Sequence, residues 1–198
     1  MKKSYPKVAT HLTALLLAFS LTSPATAETS MIASNSACND NLMHGSLTQL
    51  NPTHATVKTS VLINSAAEDV WNKLTDFDNI SSWSSGTLQN MKGDIKNGGS
   101  VMITFIFGVD ENGEPNSNEI PHTLIYEEGK MFGWSDPFPE DIGGGRDNHV
   151  YQVESCGDQT LFVQSDEIID NPYAANFVAQ LLPMYQTFNA ELKAFAEN

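Results

Sequence analysis

His122 and His149 are the residues of this sequence whose type and placement bear most directly on chemistry. Of its 5 histidines, these two fall on predicted sheet strands. A neutral imidazole held among apolar residues accepts a proton from an enolisable carbon or hydrogen-bonds a ligand carbonyl. A structural histidine satisfied by the core occupies the same kind of position, and only His149 has a carboxylate close by in sequence, Asp147. Glu119, Glu127 and Asp166 also lie at or beside strand positions, where carboxylates ordinarily face water or a sheet edge. Asp110, Asn112 and Glu114 alternate as in a calcium loop, but the EF-hand pattern is not completed, so no metal site is expected. The chain has no G-x-S-x-G elbow and no H-E-x-x-H helix, and its Gly143-Gly144-Gly145 run lacks the lysine and the serine or threonine of a phosphate cradle. No cofactor is therefore expected.

To position these residues the sequence offers an early helix, a series of strands and a long final helix. Ser65 stands three residues before Glu68, the spacing of a capping box, so a helix is predicted over 66–75 with Val70, Trp71 and Leu74 on one apolar stripe. A first strand over 55–63 precedes it. Residues 76–80 read as a second short helix that returns Phe77 and Ile80 to the core, and Trp83 closes the turn. From Leu88 onward the apolar period is two, and Lys96-Asn97-Gly98-Gly99 is a strong hairpin signal. Val101, Ile103, Phe105 and Phe107 then share one face of a strand whose other face, Met102, Thr104 and Ile106, is also largely apolar. Such a strand is buried between layers or lines a cavity.

Beyond the polar turn at 110–113, a strand over 120–127 places His122, Leu124 and Tyr126 together, and another covers 131–135. The Pro- and Gly-rich stretch 136–147 is predicted to be a loop with capacity to move. Strands over 148–154 and 159–168 follow, the first presenting His149, Tyr151 and Val153 on one face, the second Leu161 and Val163. Asp170 or Asn171 can cap the last helix and Pro172 suits its first turn. Tyr173, Phe177, Leu181, Tyr185, Phe188, Leu192 and Phe195 repeat at helical spacing, and Pro183 predicts a kink near Leu182. Turn-separated strands after an early helix argue for one curved antiparallel sheet rather than a βαβ fold, with the long helix against its concave side.

Residues 1–27 read as a secretory signal peptide. Lys2, Lys3 and Lys7 form a basic start, 9–21 an apolar core too short to span a bilayer, and Ala25-Thr26-Ala27 a small-x-small cleavage pattern. Cleavage would leave 7 basic and 24 acidic residues, a net charge of −17. That balance opposes binding to nucleic acid or anionic lipid, and no stable membrane insertion is expected after signal removal. The expected location is the periplasm or the extracellular space. Residues 28–54 are polar and read as a largely irregular N-terminal arm, leaving 55–198 as one domain. An oxidising compartment permits a bridge between Cys38 and Cys156; two separate thiols or an intermolecular link are the alternatives.

Several of these stretches resemble the helix-grip fold of the START-like superfamily, especially its polyketide cyclase/dehydrase and lipid-transport members. The matching residues are Val61-Leu62-Ile63-Asn64, then Ser65 to Trp71, Thr75-Asp76-Phe77-Asp78, Trp83 and Gly98-Gly99-Ser100. Later come His149-Val150-Tyr151 and Phe188-Asn189-Ala190-Glu191-Leu192-Lys193, so the resemblance spans about 55–197. It implies an α+β fold in which a curved antiparallel β-sheet wraps around a long C-terminal α-helix, with two short helices after the first strand. In such a grip, Phe105, Phe107, Tyr126, Trp134, His149, Tyr151, Tyr185 and Phe188 are the candidates for lining a ligand pocket, ordinary core packing being the other reading of each. No catalytic motif of the superfamily carries over residue by residue. The leading expectation is an exported binding or transport protein for a hydrophobic small molecule or lipid. One alternative is a cyclase/dehydrase-like enzyme using a pocket histidine or tyrosine, and another is a protein-interaction domain without ligand, its partner unknown.

Overall fold

The structure, a computed structural model, describes Cys38 and residues 42–198. The proposed signal peptide and most of the arm lie outside the described residues. Nine strands and two α-helices follow one another as β1 (Ser46–Asn51), β2 (His54–Ile63), α1 (Ala67–Leu74), β3 (Leu88–Gly93), β4 (Ser100–Val109), β5 (Pro115–Thr123), β6 (Ile125–Glu127), β7 (Met131–Pro137), β8 (Arg146–Cys156), β9 (Gln159–Ile169) and α2 (Ala174–Ala196). All pairings are antiparallel. A six-stranded sheet has the order β1-β2-β9-β8-β7-β6, and a three-stranded sheet the order β3-β4-β5. The long helix packs mainly on β2 and β9. This is the helix-grip architecture.

Alternation along the central strands sorts side chains between the helix-facing side and the outer side. The core gathers Val61, Ile63, Val70, Trp71, Leu74, Ile80, Ile103, Phe132, Tyr151, Phe162, Phe188 and Leu192. A second cluster of Ala55, Val57, Ile168, Ala174, Val178 and Tyr185 sits under the first half of α2. Among the described residues no helix is long and apolar enough to cross a membrane.

Several expectations are corrected. The stretch before His54 is not irregular throughout, since residues 46–51 form β1, an edge strand exposed at every position. With neither face buried, it shows no apolar alternation to read. Ser65 does not cap α1: the cap position is Ala66, without a side-chain hydrogen bond. Helix formation one residue later puts Ser65 outside it, where its carbonyl accepts the Thr160 hydroxyl at 2.7 Å. The second short helix is a 3-10 turn at Ile80–Ser82, and Phe77 and Ile80 are buried as their spacing predicts. The strand expected over 120–127 divides at Leu124, whose N–H and C=O pair with Gly99 and Gly98 of the β3–β4 hairpin. One run of sequence thus serves both sheets.

The buried stripe of α2 is Ala174, Val178, Tyr185, Phe188, Asn189, Leu192 and Ala196. Tyr173 and Phe195 are exposed, and Phe177 and Leu181 lie on the flank. The bulky residues mislead the periodicity here, because close approach to Ala55 and Val57 of β2 selects small side chains. The helix runs on through Pro183, which lies on its exposed side, where water can serve a freed carbonyl. The glycine loop before β8 is held by one buried side chain. Asn171 Nδ2 donates to the carbonyls of Ile142 at 3.0 Å and Gly144 at 2.7 Å, while its Oδ1 accepts the Tyr173 N–H at 2.7 Å. Cys38 and Cys156 form a disulfide with Cα atoms 5.7 Å apart, which ties the chain ahead of β1 to the end of β8.

Candidate functional site

Register brings the site together. Trp134 of β7 pairs with His149 of β8, which pairs with Asp166 of β9, making one row across the sheet. Period two places Asp147 and Tyr151 beside His149, and Gln164 beside Asp166, on the same helix-facing side. Tyr185 reaches this row from α2. Its hydroxyl lies 2.8 Å from His149 Nδ1 and 2.8 Å from Asp166 Oδ2, and His149 Nδ1 is 3.3 Å from the same oxygen. His149, Asp166 and Tyr185 are all at least 95% buried.

The hydrogen bonds have a consistent direction. Gln164 Nε2 approaches His149 Nε2 at 3.4 Å, so that nitrogen accepts and the ring proton sits on Nδ1. Nδ1–H then donates to Tyr185 Oη, and Tyr185 O–H donates to Asp166 Oδ2. On the other side Trp134 Nε1 donates to Asp147 Oδ2 at 3.0 Å. Asp147 Oδ1 and Asp166 Oδ1 are buried and have no donor from any other side chain. The two carboxyl groups interact with each other, which two ionised acceptors cannot do favourably. A proton on Asp147, donated to Asp166, satisfies both.

Burial sets the ionisation. Removal from water, with the nearby Asp166 charge second, pushes Asp147 up to about 8. Burial also raises Asp166, and it lowers His149 to about 4. Tyr185 and Tyr151 are driven above the ordinary phenol value by the same loss of solvent. At neutral pH the centre therefore holds a neutral imidazole, two phenols, a protonated Asp147 and one carboxylate, Asp166, that receives two O–H donors. Carboxylates are stable in such surroundings only when so supplied.

Five of the eight lining candidates meet here. Trp134 stacks on His149 with centroids 4.5 Å apart, Tyr151 lies 4.5 Å and Tyr185 5.1 Å from the same ring, and Phe188 is 5.5 Å from Tyr151. Phe105 joins the edge of this group, 5.7 Å from Trp134. Phe107 stacks on Phe105 at 5.6 Å and is 41% exposed. Tyr126 is elsewhere, against Trp71, with its hydroxyl donating to Glu128 at 2.7 Å. Two surface recesses, of about 360 Å³ beside Phe77 and about 570 Å³ along α2 from Pro183 to Ala194, do not include these side chains. Tyr151 and Thr87 carry buried hydroxyls that lie near one another without a sound hydrogen bond, and Gln164 Oε1 has no partner.

Sequence reasoning passed over Asp166, treating it as a solvated strand carboxylate. Reading β9 with period two places it between Gln164 and Ile168 on the face of Phe162, which is the signal that it points inward. Asp136 was also missed. It pairs with His122, its Oδ2 lying 2.7 Å from Nδ1, and joins a residue of β5 to one of β7.

No protein-family model and no curated protein sequence matches the chain. Solved structures match its fold. The di-domain aromatase/cyclase StfQ of steffimycin biosynthesis aligns with 74% of this chain and 51% of its own, at 10% identity and a TM-score of 0.56. The Zhui aromatase/cyclase from a Streptomyces species aligns with 73% of this chain and 94% of its own, at 15% identity and a TM-score of 0.53. A conserved protein of unknown function from Enterococcus faecalis covers 80% of each chain at 19% identity and a TM-score of 0.52. The chain spans about half the length of the di-domain proteins. At these identities the likeness is one of fold, and that fold is the helix grip shared with polyketide aromatase/cyclases.

Proposed function

We propose that this chain is an acid–base catalyst for ring closure or dehydration of a small carbonyl compound. The observation that carries the reading is Tyr185 Oη, placed 2.8 Å from both His149 Nδ1 and Asp166 Oδ2 in a buried setting. Burial keeps His149 neutral, so Nε2 retains a lone pair. Displacement of the Gln164 amide, whose 3.4 Å contact is the longest in the row, frees that lone pair to take a proton from carbon next to a carbonyl. The imidazolium so formed is stabilised by Asp166. Its Nδ1 proton passes to Tyr185, whose own proton passes to the departing hydroxyl, which leaves as water. Fold-level similarity to aromatase/cyclases supports the class of reaction, by analogy alone. The disulfide supports an exported setting.

The test is turnover of a panel of β-hydroxy ketones in D2O, read by mass spectrometry as loss of water and deuterium uptake next to the carbonyl. Tyr185→Phe is expected to reduce the rate about 10²–10⁴-fold, the usual reach of one positioned proton donor. Equal turnover by wild-type and Tyr185→Phe protein would sink the reading. A second reading, a carrier without turnover, is favoured by the buried, unpartnered Gln164 Oε1 and Tyr151 hydroxyl, which the polar atoms of a bound molecule could satisfy. Solvent extraction of the purified protein that releases an unchanged apolar molecule, with no turnover of the panel, would support that one.

A further inference from the structure

His122 is a second buried imidazole, on β5 and in the three-stranded sheet rather than the sheet of His149. Its side chain is 7% exposed, and its Nδ1 lies 2.7 Å from Asp136 Oδ2. Nε2 is buried with no protein partner among the described residues. A carboxylate only accepts, so the short contact places the ring proton on Nδ1 and leaves Nε2 as a bare acceptor. A buried acceptor without a donor is uncommon in native folds and calls for a reason. The ring is also framed by flat surfaces. Trp134 lies 4.6 Å away and tilted by 32°, and Phe105 meets it edge-on at 5.8 Å.

A route to solvent runs along the same face of β4. Phe107 stacks on Phe105 and is 41% exposed. Immediately after it, Gly108 has φ +77° where the β4–β5 register breaks between Ile106 and Val109. Bulges of this kind re-aim the end of a strand, so the Phe107 ring can swing aside without disturbing the sheet behind it.

We propose that His122, with Phe105, Phe107 and Trp134, forms a binding site for a planar aromatic hydroxyl compound, a phenol or an aromatic enol, whose O–H donates to Nε2. The rings supply stacking and apolar contact, and the lone pair supplies selection for the hydroxyl. Trp134 stands between this site and the reaction centre, stacked on His149 at 4.5 Å by its other neighbour contact. The site thereby gives the substrate of the acid–base reading an aromatic ring with a hydroxyl; in that role it rests on that reading, while binding itself needs no turnover.

The experiment titrates wild-type protein and His122→Phe with 2-naphthol and with naphthalene, and records the imidazole ¹⁵N resonances. Free wild-type protein is expected to show His122 protonated on Nδ1, and 2-naphthol to shift its Nε2 signal. In wild-type protein 2-naphthol binds about tenfold or more tighter than naphthalene, the order of one good hydrogen bond to a buried acceptor. His122→Phe abolishes that preference. Equal affinity of the two probes for wild-type protein overturns the proposal, as does a ring protonated on Nε2, and neither result depends on the variant folding. Ketone turnover without hydroxyl-dependent binding overturns this site and leaves the acid–base reading standing. Hydroxyl-dependent binding without turnover does the reverse.

Discussion

Asp147 decides the charge of the interior, because its proton lets two buried carboxyl groups lie together. Asparagine has nearly the same shape, and its amide can donate to Asp166 while its carbonyl accepts from Trp134 Nε1. Asp147→Asn is therefore expected to keep the folded state at pH 6, within about 1 kcal/mol, as measured by urea unfolding. Asp166→Asn differs. It replaces the acceptor of the Tyr185 and Asp147 hydroxyl protons and removes the charge that would stabilise a protonated His149. A larger loss of stability, on the order of 2–3 kcal/mol, is expected in the same assay. Equal effects of the two substitutions would contradict the assigned directions of the hydrogen bonds.

At the scale of elements, Asn171 joins the start of α2 to the glycine loop through three hydrogen bonds to the backbone. Gly143, Gly144 and Gly145 all have positive φ, a conformation other residues resist, and Asn171 closes the loop they form. Asn171→Ala should cost about 1–2 kcal/mol, as a lost cap does, and should open the loop to limited proteolysis. Mass mapping of the cleavage products checks this, with nicking between Phe138 and Gly145 the expected result. The disulfide acts on another pair of elements. Joining positions 118 apart restricts the unfolded chain, so Cys156→Ser is expected to lower stability by about 2–4 kcal/mol. Thermal melts with and without reductant should converge for that variant and separate for the wild type.

For the whole molecule, the buried ionisable groups make stability depend on pH in opposite directions. Asp147 moves from an ordinary value of 3.8 to about 8 on folding, so the folded chain holds the extra proton between those values. Its contribution is full below about pH 4 and is lost as pH rises through about 8. Asp166, also raised, acts with the same sign. His149 falls from 6.5 to about 4, so its contribution is full above pH 6.5 and is lost as pH falls through about 4. The two slopes oppose one another between about pH 4 and 6.5. From there to about pH 8 the acid slope stands alone, and the melting temperature should fall across that window. Asp147→Asn should flatten the fall; an unchanged slope would place the responsible group elsewhere.

The sequence by itself determined the elements and the fold. Val70, Trp71 and Leu74 marked the stripe of α1, Asn97-Gly98 the hairpin, alternating apolar residues the strands, and the length of the last segment the helix that the sheet grips. These signals are local, since period and turn chemistry act over a few residues. Local spacing also carried His149, Tyr151, Trp134 and Tyr185 as candidates, each with core packing as an equal alternative. Tertiary structure alone decided that His149, Asp166 and Tyr185 share hydrogen bonds, because strand register and the rotation of α2 bring together residues far apart in the chain. It also decided ionisation: Asp147 and Asp166 are ordinary acids as letters, and become a proton-sharing pair only when the packed sheet and helix exclude water from both.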